Sequence, residues 1–202
     1  MKRCYGTAVK PYADAVPRPR VHDDALRARM LEVTSELVST AGTAAVTVRE
    51  VARLAGTSSS AVYALFGSRD ALLAEVAEEG FRRFGAHLAA VARTADAGHD
   101  LLALGLAYRR SALADPHFYR VMFDRPRPGA PRPAERETFR TLRDAVARVL
   151  ATGDADEVAY ALWAQVHGLV ALELAGLLPG DADERADRYT RALRAAGRAA
   201  FG

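Results

Sequence analysis

Apolar positions along the chain recur at steps of three and four, the period of an amphipathic helix, and no period-2 alternation is strong enough for a strand. From Asp23 or Asp24, either of which can cap a helix, Leu26, Met30, Val33, Leu37 and Val38 hold this spacing until Gly42. Thr47 followed three residues later by Glu50 has the form of a capping box: the hydroxyl takes the amide of the third helical residue and the carboxylate reaches back. The second helix, Val48–Ala55, stops at Gly56, and Ser58 can cap a short third one that runs through Phe66 and halts at Gly67. Ser68 opens a long fourth helix with Leu72, Leu73, Val76, Phe81, Phe84, Leu88 and Val91 as its stripe. Further helices are expected at about 99–114, 116–124, 133–152, 155–178 and 183–200, divided by Pro116, the proline-rich stretch 126–133, Gly153 and Pro179–Gly180. The expected class is all-α, with about nine helices. Residues 1–22 carry Pro11, Pro17 and Pro19 without periodicity and read as a disordered basic tail.

The second and third helices are short and joined by a tight turn containing glycine, which is the helix-turn-helix pattern; its second helix enters the DNA major groove. Val48, Val51, Ala52 and Ala55 can pack inward from the first, and Ala61, Val62, Leu65 and Phe66 from the second. That leaves Thr57, Ser58, Ser59, Ser60 and Tyr63 near the exposed leading end, where hydroxyls and helix N-terminal amides both suit a phosphate. The plainer reading is that Ser58 only caps its helix.

Charge placement supports the first of these. Residues 1–70 hold ten Lys/Arg against seven Asp/Glu, so the net charge of +3 sits in the first third of the 202-residue chain, and the remainder is neutral. A basic segment on a neutral body is the footprint of a nucleic-acid-binding head. Half the residues are hydrophobic, which argues against disorder of the whole chain. No uncharged apolar run reaches membrane-spanning length, and the basic N-terminus is not followed by the apolar run of a secretory signal. The single cysteine, Cys4, suits a reducing cytosol, so a cytoplasmic location is expected.

Other chemistry has little support. His22, His87, His99, His117 and His167 show no metal-ligand pairing, and the serines lack a histidine and carboxylate in a strand–turn–helix setting. No metal, cofactor or enzymatic activity is expected. Trp163 and His167 lie four apart on one helical face, as a core pair or as a pocket wall.

Residues 24–84 resemble the DNA-binding segment of the TetR family of bacterial transcriptional regulators. The resemblance is carried by Thr47-Val48-Arg49-Glu50-Val51-Ala52, Ala55-Gly56, Ser58, Tyr63, Phe66, Ser68 and Asp70-Ala71-Leu72-Leu73. Phe118-Tyr119-Arg120-Val121-Met122-Phe123 and the stretch from Trp163 through His167-Gly168-Leu169 are similar to the Trp-His-Gly type of C-terminal domain in one branch of that family. The resemblance implies a homodimeric, ligand-responsive repressor on a double-stranded DNA operator. It divides the chain into a tail (1–22), a helix-turn-helix domain (23–70) and a ligand-binding and dimerisation domain (71–202). Thr47 resembles the family's phosphate-contacting cap, Ser59, Ser60 and Tyr63 fall where its recognition helix meets DNA, and Arg69 stands where a lysine commonly grips a phosphate.

Two departures stand out. Ala64-Leu65 occupies a place where the family often has a polar residue or histidine, and the recognition helix has no Arg, Lys, Asn or Gln to fork onto a base. Arg49, four residues before Arg53 on one face of the second helix, is therefore the expected guanine reader.

In the body, Phe84, Tyr108, Met122, Phe123, Trp163 and His167 are expected to wall an apolar pocket for a hydrophobic or aromatic effector. Ala161, Ala164, Gly168, Ala171 and Ala175, with Tyr189, Leu193, Ala196 and Ala200 on the last helix, are expected to pair with their symmetry mates in a four-helix interface. The alternative function is a helical small-molecule carrier or enzyme that keeps a helix-turn-helix-like head.

Overall fold

The computed structural model describes residues 20–123 and 131–202. Among them are nine α-helices and no strand: α1 (Arg20–Ala41), α2 (Val48–Ala55), α3 (Ser59–Phe66), α4 (Arg69–Ala89), α5 (Ala97–Ala114), α6 (Pro116–Met122), α7 (Glu137–Val149), α8 (Ala155–Leu174) and α9 (Ala182–Phe201). Single 3-10 turns stand at Thr43–Ala45 and Pro133–Glu135. The tail expected at 1–22 lies outside the described residues except for 20–22, which form the first turn of α1. Most of the proline-rich break at 126–133 also lies outside them.

Side-chain caps fix where most helices begin. Thr47, Ser58, Ser68, Asp96, Asp154 and Asp181 each accept a backbone amide from the first turn of α2, α3, α4, α5, α8 and α9 respectively. The capping box at Thr47 is only half formed. Thr47 accepts the Glu50 amide, but the Glu50 carboxylate turns forward to Arg53, at 2.9 and 2.5 Å. A complete capping box occurs instead at Asp181 and Glu184.

The helix ends differ from the sequence reading where a local motif intervenes. Helix α8 stops at Leu174 rather than running to 178, because Gly176 adopts a left-handed φ of 70°. There the Leu177 amide bonds back to the Leu172 carbonyl and the Gly176 amide to that of Glu173, a Schellman closure. Gly56 ends α2 in the same way, with the Thr57 amide on the Ala52 carbonyl at 2.8 Å. The helix expected at 133–152 divides into the 3-10 turn and α7.

Burial follows the stripes into two main cores. The head core gathers Met30 and Leu31 of α1, Val51 and Ala55 of α2, Val62 and Phe66 of α3, and Leu72 and Val76 of α4. Each such fully buried aliphatic side chain contributes about 1.5–3 kcal/mol. The body core gathers Phe84 and Leu88 of α4, Tyr108 of α5, Val166 and Val170 of α8, and Tyr189 of α9. A smaller cluster joins Phe139 and Val146 of α7 to Ala159 of α8.

Two elements serve both cores. Helix α4 passes from one to the other along its length, whereas α6 divides across its width: Phe118 and Val121 enter the head core, and Tyr119 and Met122 enter the body core. Polar contacts hold α6 in place. Arg83 of α4 lies 4.2 Å over the Phe118 ring and pairs with Glu32, Glu79 and Asp115, and His117 meets the Ser39 hydroxyl of α1. On the body side, Arg109 of α5 forks onto the largely buried Glu173 of α8, at 2.7 and 2.6 Å.

Candidate nucleic-acid interface and effector cavity

In the head, Val51 and Val62 are buried on the facing sides of α2 and α3, which turns the opposite edge of both helices to solvent. Thr47, Arg49, Ser58, Ser60 and Tyr63 are exposed, and Thr57 and Ser59 are half-buried. Tyr63 presents an unusually open aromatic ring, 55% exposed.

The hydroxyls do not all stand free. Ser58 accepts the Ala61 amide at 3.2 Å and shares a 2.8 Å hydrogen bond with Ser60, so both hydroxyls already help to close the start of α3. Arg49 makes no hydrogen bond to a described residue and acts on Glu50 only through space. Arg53, by contrast, is committed to Glu50. The two arginines of α2 are thus inequivalent, and Arg49 is the one with its donors available.

Arg69 has a role that its position in the sequence did not reveal. Its Nε donates to the Val46 carbonyl at 2.6 Å, Nη2 donates to the Thr43 carbonyl, and Nη1 reaches the Asp70 carboxylate at 3.0 Å. The guanidinium therefore pins the 3-10 turn that leads into α2. Any phosphate it meets shares it with that scaffold.

In the body, α4, α5, α7, α8 and α9 enclose a cavity of about 500 Å³. That lies within the usual range for a small-molecule site. Four of the six expected residues line it: Phe84, Tyr108, Phe123 and Trp163. Met122 and His167 do not. Met122 packs against α4 at Gly80, where a Cβ would come within 2.7 Å of its Cγ. His167 lies behind the wall, its Nδ1 2.9 Å from the Tyr119 hydroxyl and 3.2 Å from that of Tyr108.

That cluster is consistent as a chain. With the imidazole proton on Nε2, Tyr108 donates to Tyr119 across 3.0 Å, and Tyr119 donates to His167 Nδ1. Burial pushes the Tyr108 phenol up to about 12, raises that of Tyr119, and lowers the pKa of His167 below its ordinary 6.5. All three side chains are held neutral near pH 7, as an apolar wall requires.

Several lining residues were not singled out from the sequence: Leu101 and Gly105 of α5, Phe139 and Leu142 of α7, and Arg194 and Arg198 of α9. The spacing of Leu101, Gly105 and Tyr108 along α5 carries a signal, since one face there alternates bulk with its absence. Arg194 and Arg198 gave none, being indistinguishable from solvated charges.

The two small-residue stripes part company. On α8 and at its C-cap Ala175, the small residues Ala161, Ala164, Ala171 and Ala175 are exposed beside Tyr160 (42%) and Leu172 (43%), and a Cβ at Gly168 would meet nothing within 4 Å. On α9, Tyr189 is buried with its hydroxyl donating to the Gly105 carbonyl at 2.9 Å, and Leu193 presses on Gly105. Tyr189 and Leu193 therefore face their own chain, and the missing side chain at Gly105 admits Leu193. Among the described residues, no helix is long and apolar enough to cross a membrane, and no cluster of side chains could hold a metal ion.

Residues 30–76 match the model for bacterial regulatory proteins of the tetR family, and residues 101–195 match that of a tetracyclin repressor-like C-terminal domain. Among solved structures, the chain is similar to a protein of unknown function from Rhodococcus sp. RHA1, at 26% identity and a TM-score of 0.72, covering 96% of this chain and 100% of that one. A TetR family transcription regulator from Marinobacter aquaeolei VT8 is 21% identical with a TM-score of 0.71, covering 88% and 98% of the two chains. The TetR family transcriptional regulator PfmR from Thermus thermophilus is 22% identical with a TM-score of 0.66, covering 82% and 97%. The last two share the fold. No curated protein sequence matches the chain.

Proposed function

The chain belongs to the TetR family and is a ligand-responsive DNA-binding regulator, and we propose that it is a repressor that holds a palindromic operator as a homodimer. The observation that carries this reading is the division of α6. Its Phe118 and Val121 are part of the head core, while Tyr119 and Met122 are part of the body core, and Phe123 at its end lines the cavity. An effector that displaces Phe123 moves a helix on which the head is built. The coupling requires the effector to prefer one head spacing over another, since equal affinity for both would shift nothing.

On the DNA side, Thr47, Thr57, Ser59 and Tyr63 position the head on phosphates, and Ser58 and Ser60 contribute through the shaped start of α3. Arg49 reads a base, because it alone on that edge has a free planar fork. Its free donors and exposure support the assignment. The exposed stripe of α8 supports isologous pairing, which places two heads about 34–36 Å apart on successive turns of the duplex.

The test is a salt-dependent gel shift on the DNA upstream of the protein's own gene. Wild type should give one cooperative shift on a palindrome and release it when an effector binds. Arg49→Ala should cost about 1–3 kcal/mol on the operator and relax preference at one base pair. Equal losses on operator and random DNA would remove its reading role, and a monomer filling an isolated half-site would remove the dimer.

A further inference from the structure

The cavity is apolar around nearly its whole wall, yet two cations stand in its lining. Arg194 and Arg198 lie one turn apart on α9, beside Leu193 and Phe201 of the same helix. Theirs are the only charged side chains in the lining among the described residues, which includes no Asp or Glu. Both are exposed, and neither side chain has an ion pair or hydrogen bond with a described residue. Of the earlier arginines of α9, Arg185 pairs with Glu173 and bonds the Gly180 carbonyl, and Arg188 donates to the Pro179 carbonyl at 2.7 Å, whereas Arg191 is also exposed and without a partner among the described residues but stands outside the cavity lining. Arg194 and Arg198 thus combine exposure at the solvent side, a place in the cavity wall, and unused donors.

We propose that the effector is an amphipathic anion, its apolar body in the cavity and its carboxylate or phosphate head held by Arg194 and Arg198. Resting on the ligand-responsive reading above, this narrows it from any apolar compound to a class with one charged end. The apolar wall supplies affinity by burial. The arginine forks supply orientation and select for a carboxylate or phosphate, whose planar or tetrahedral oxygens accept paired N–H donors. A neutral compound of the same length gains the first contribution and forgoes the second. A competing role exists for Arg198, in the last turn of α9, since positive side chains near a helix C-terminus also favour its dipole. That role acts on the folded chain alone and is indifferent to what enters the cavity.

Trp163 is the only tryptophan of the chain and lines the cavity, so its fluorescence reports occupancy directly. Purified full-length protein is titrated with decanoate, decyl phosphate and decan-1-ol, and the same series is repeated on Arg194→Gln, Arg198→Gln, the double variant and Arg198→Lys. At least one anion should bind about tenfold or more tighter than the alcohol, with a preference that weakens as salt rises. The double variant should erase the preference while leaving the alcohol's affinity unchanged, and Arg198→Lys should retain part of it. Decanoate ahead of decyl phosphate assigns a carboxylate head, and the reverse order a phosphate. Equal binding of acid and alcohol, a preference that survives in the double variant, or binding of none of the three would overturn the proposal. An arginine serving only the helix end would change the melting temperature and leave the anion-to-alcohol ratio intact, which also overturns it. Operator release is measured separately. Selective anion binding without release would defeat the switch and keep the headgroup site, and release by the alcohol as readily as by the anions would do the opposite.

Discussion

The Tyr119 hydroxyl lies 2.9 Å from Nδ1 of His167, joining α6 to α8 through a group whose protonation the surroundings oppose. Burial lowers the folded-state pKa of His167 below 6.5. The unfolded chain therefore binds a proton more readily, and this contribution to stability is complete above about pH 6.5 and is lost as pH falls below it. The melting temperature of wild type should drop more between pH 8 and pH 5 than that of His167→Gln, which keeps a polar side chain and cannot titrate. Parallel pH profiles for the two proteins would mean that the imidazole meets solvent.

Arg69 is expected to serve stability and DNA affinity together. Arg69→Ala leaves the Val46 carbonyl without its donor and the Thr43 carbonyl with the Val46 amide alone, which should cost about 1–3 kcal/mol, and it removes a charge beside the DNA edge. The salt dependence of DNA binding should flatten by about one unit. Arg69→Lys separates the two effects, because a lysine restores the charge but cannot fork between both carbonyls. Its salt slope should return to that of wild type while its melting temperature stays low. A lysine variant as stable as wild type would make the carbonyl contacts incidental.

The α8 face predicts where a charge abolishes pairing. Gly168→Arg or Ala171→Arg enters open space in the single chain, so each variant should fold with little change in circular dichroism yet run as a monomer in light scattering. Leu193→Ala should behave in the opposite sense. Leu193 packs on Gly105 inside its own chain but is only partly buried, so the truncation should cost less than the about 2–5 kcal/mol of a fully buried leucine and leave the oligomeric state alone. An unchanged dimer in both charged variants would place the interface on another surface.

The elements of the head were legible because each is short and punctuated. Thr47, Gly56, Ser58, Gly67 and Ser68 mark their boundaries with local chemistry, and the structure places α2, α3 and α4 at those marks. The site was legible only in part, for two physical reasons. Period and bulk identify Phe84, Tyr108, Phe123 and Trp163 as inward-facing, but they do not distinguish a wall from the packing behind it. His167 and Met122 satisfy the same pattern and stand one layer back. Arg69 and Glu50 are a second kind of miss. A long charged side chain chooses among several partners within reach, and backbone carbonyls that become available only in the folded loop, such as Val46, leave no trace in spacing.

The seating of α6 on α4 can be tested at two glycines of the same helix. Gly85 is spacious: an added Cβ would meet only the Thr138 methyl, at 3.6 Å. Gly85→Ala should therefore show the ordinary gain from removing a mid-helix glycine, about 0.5–1 kcal/mol. Gly80 faces α6 directly. A Cβ there would lie 2.7 Å from Met122 Cγ, 3.1 Å from its sulfur and 3.3 Å from the Phe118 carbonyl oxygen. The flexible Met122 side chain can withdraw, but the carbonyl belongs to the backbone of α6, so the helix itself must shift by a few tenths of an ångström. Overpacking of this kind costs about 1–3 kcal/mol, which exceeds the helix gain. Gly80→Ala should thus lower the melting temperature where Gly85→Ala raises it. Because α6 carries Phe118 and Val121 into the head core, Gly80→Ala should also change operator affinity with no effector present, while Gly85→Ala should leave it as in wild type. If Gly80→Ala altered stability but not operator affinity, α6 would be a packing element and the link between cavity and head would have to run along α4 alone.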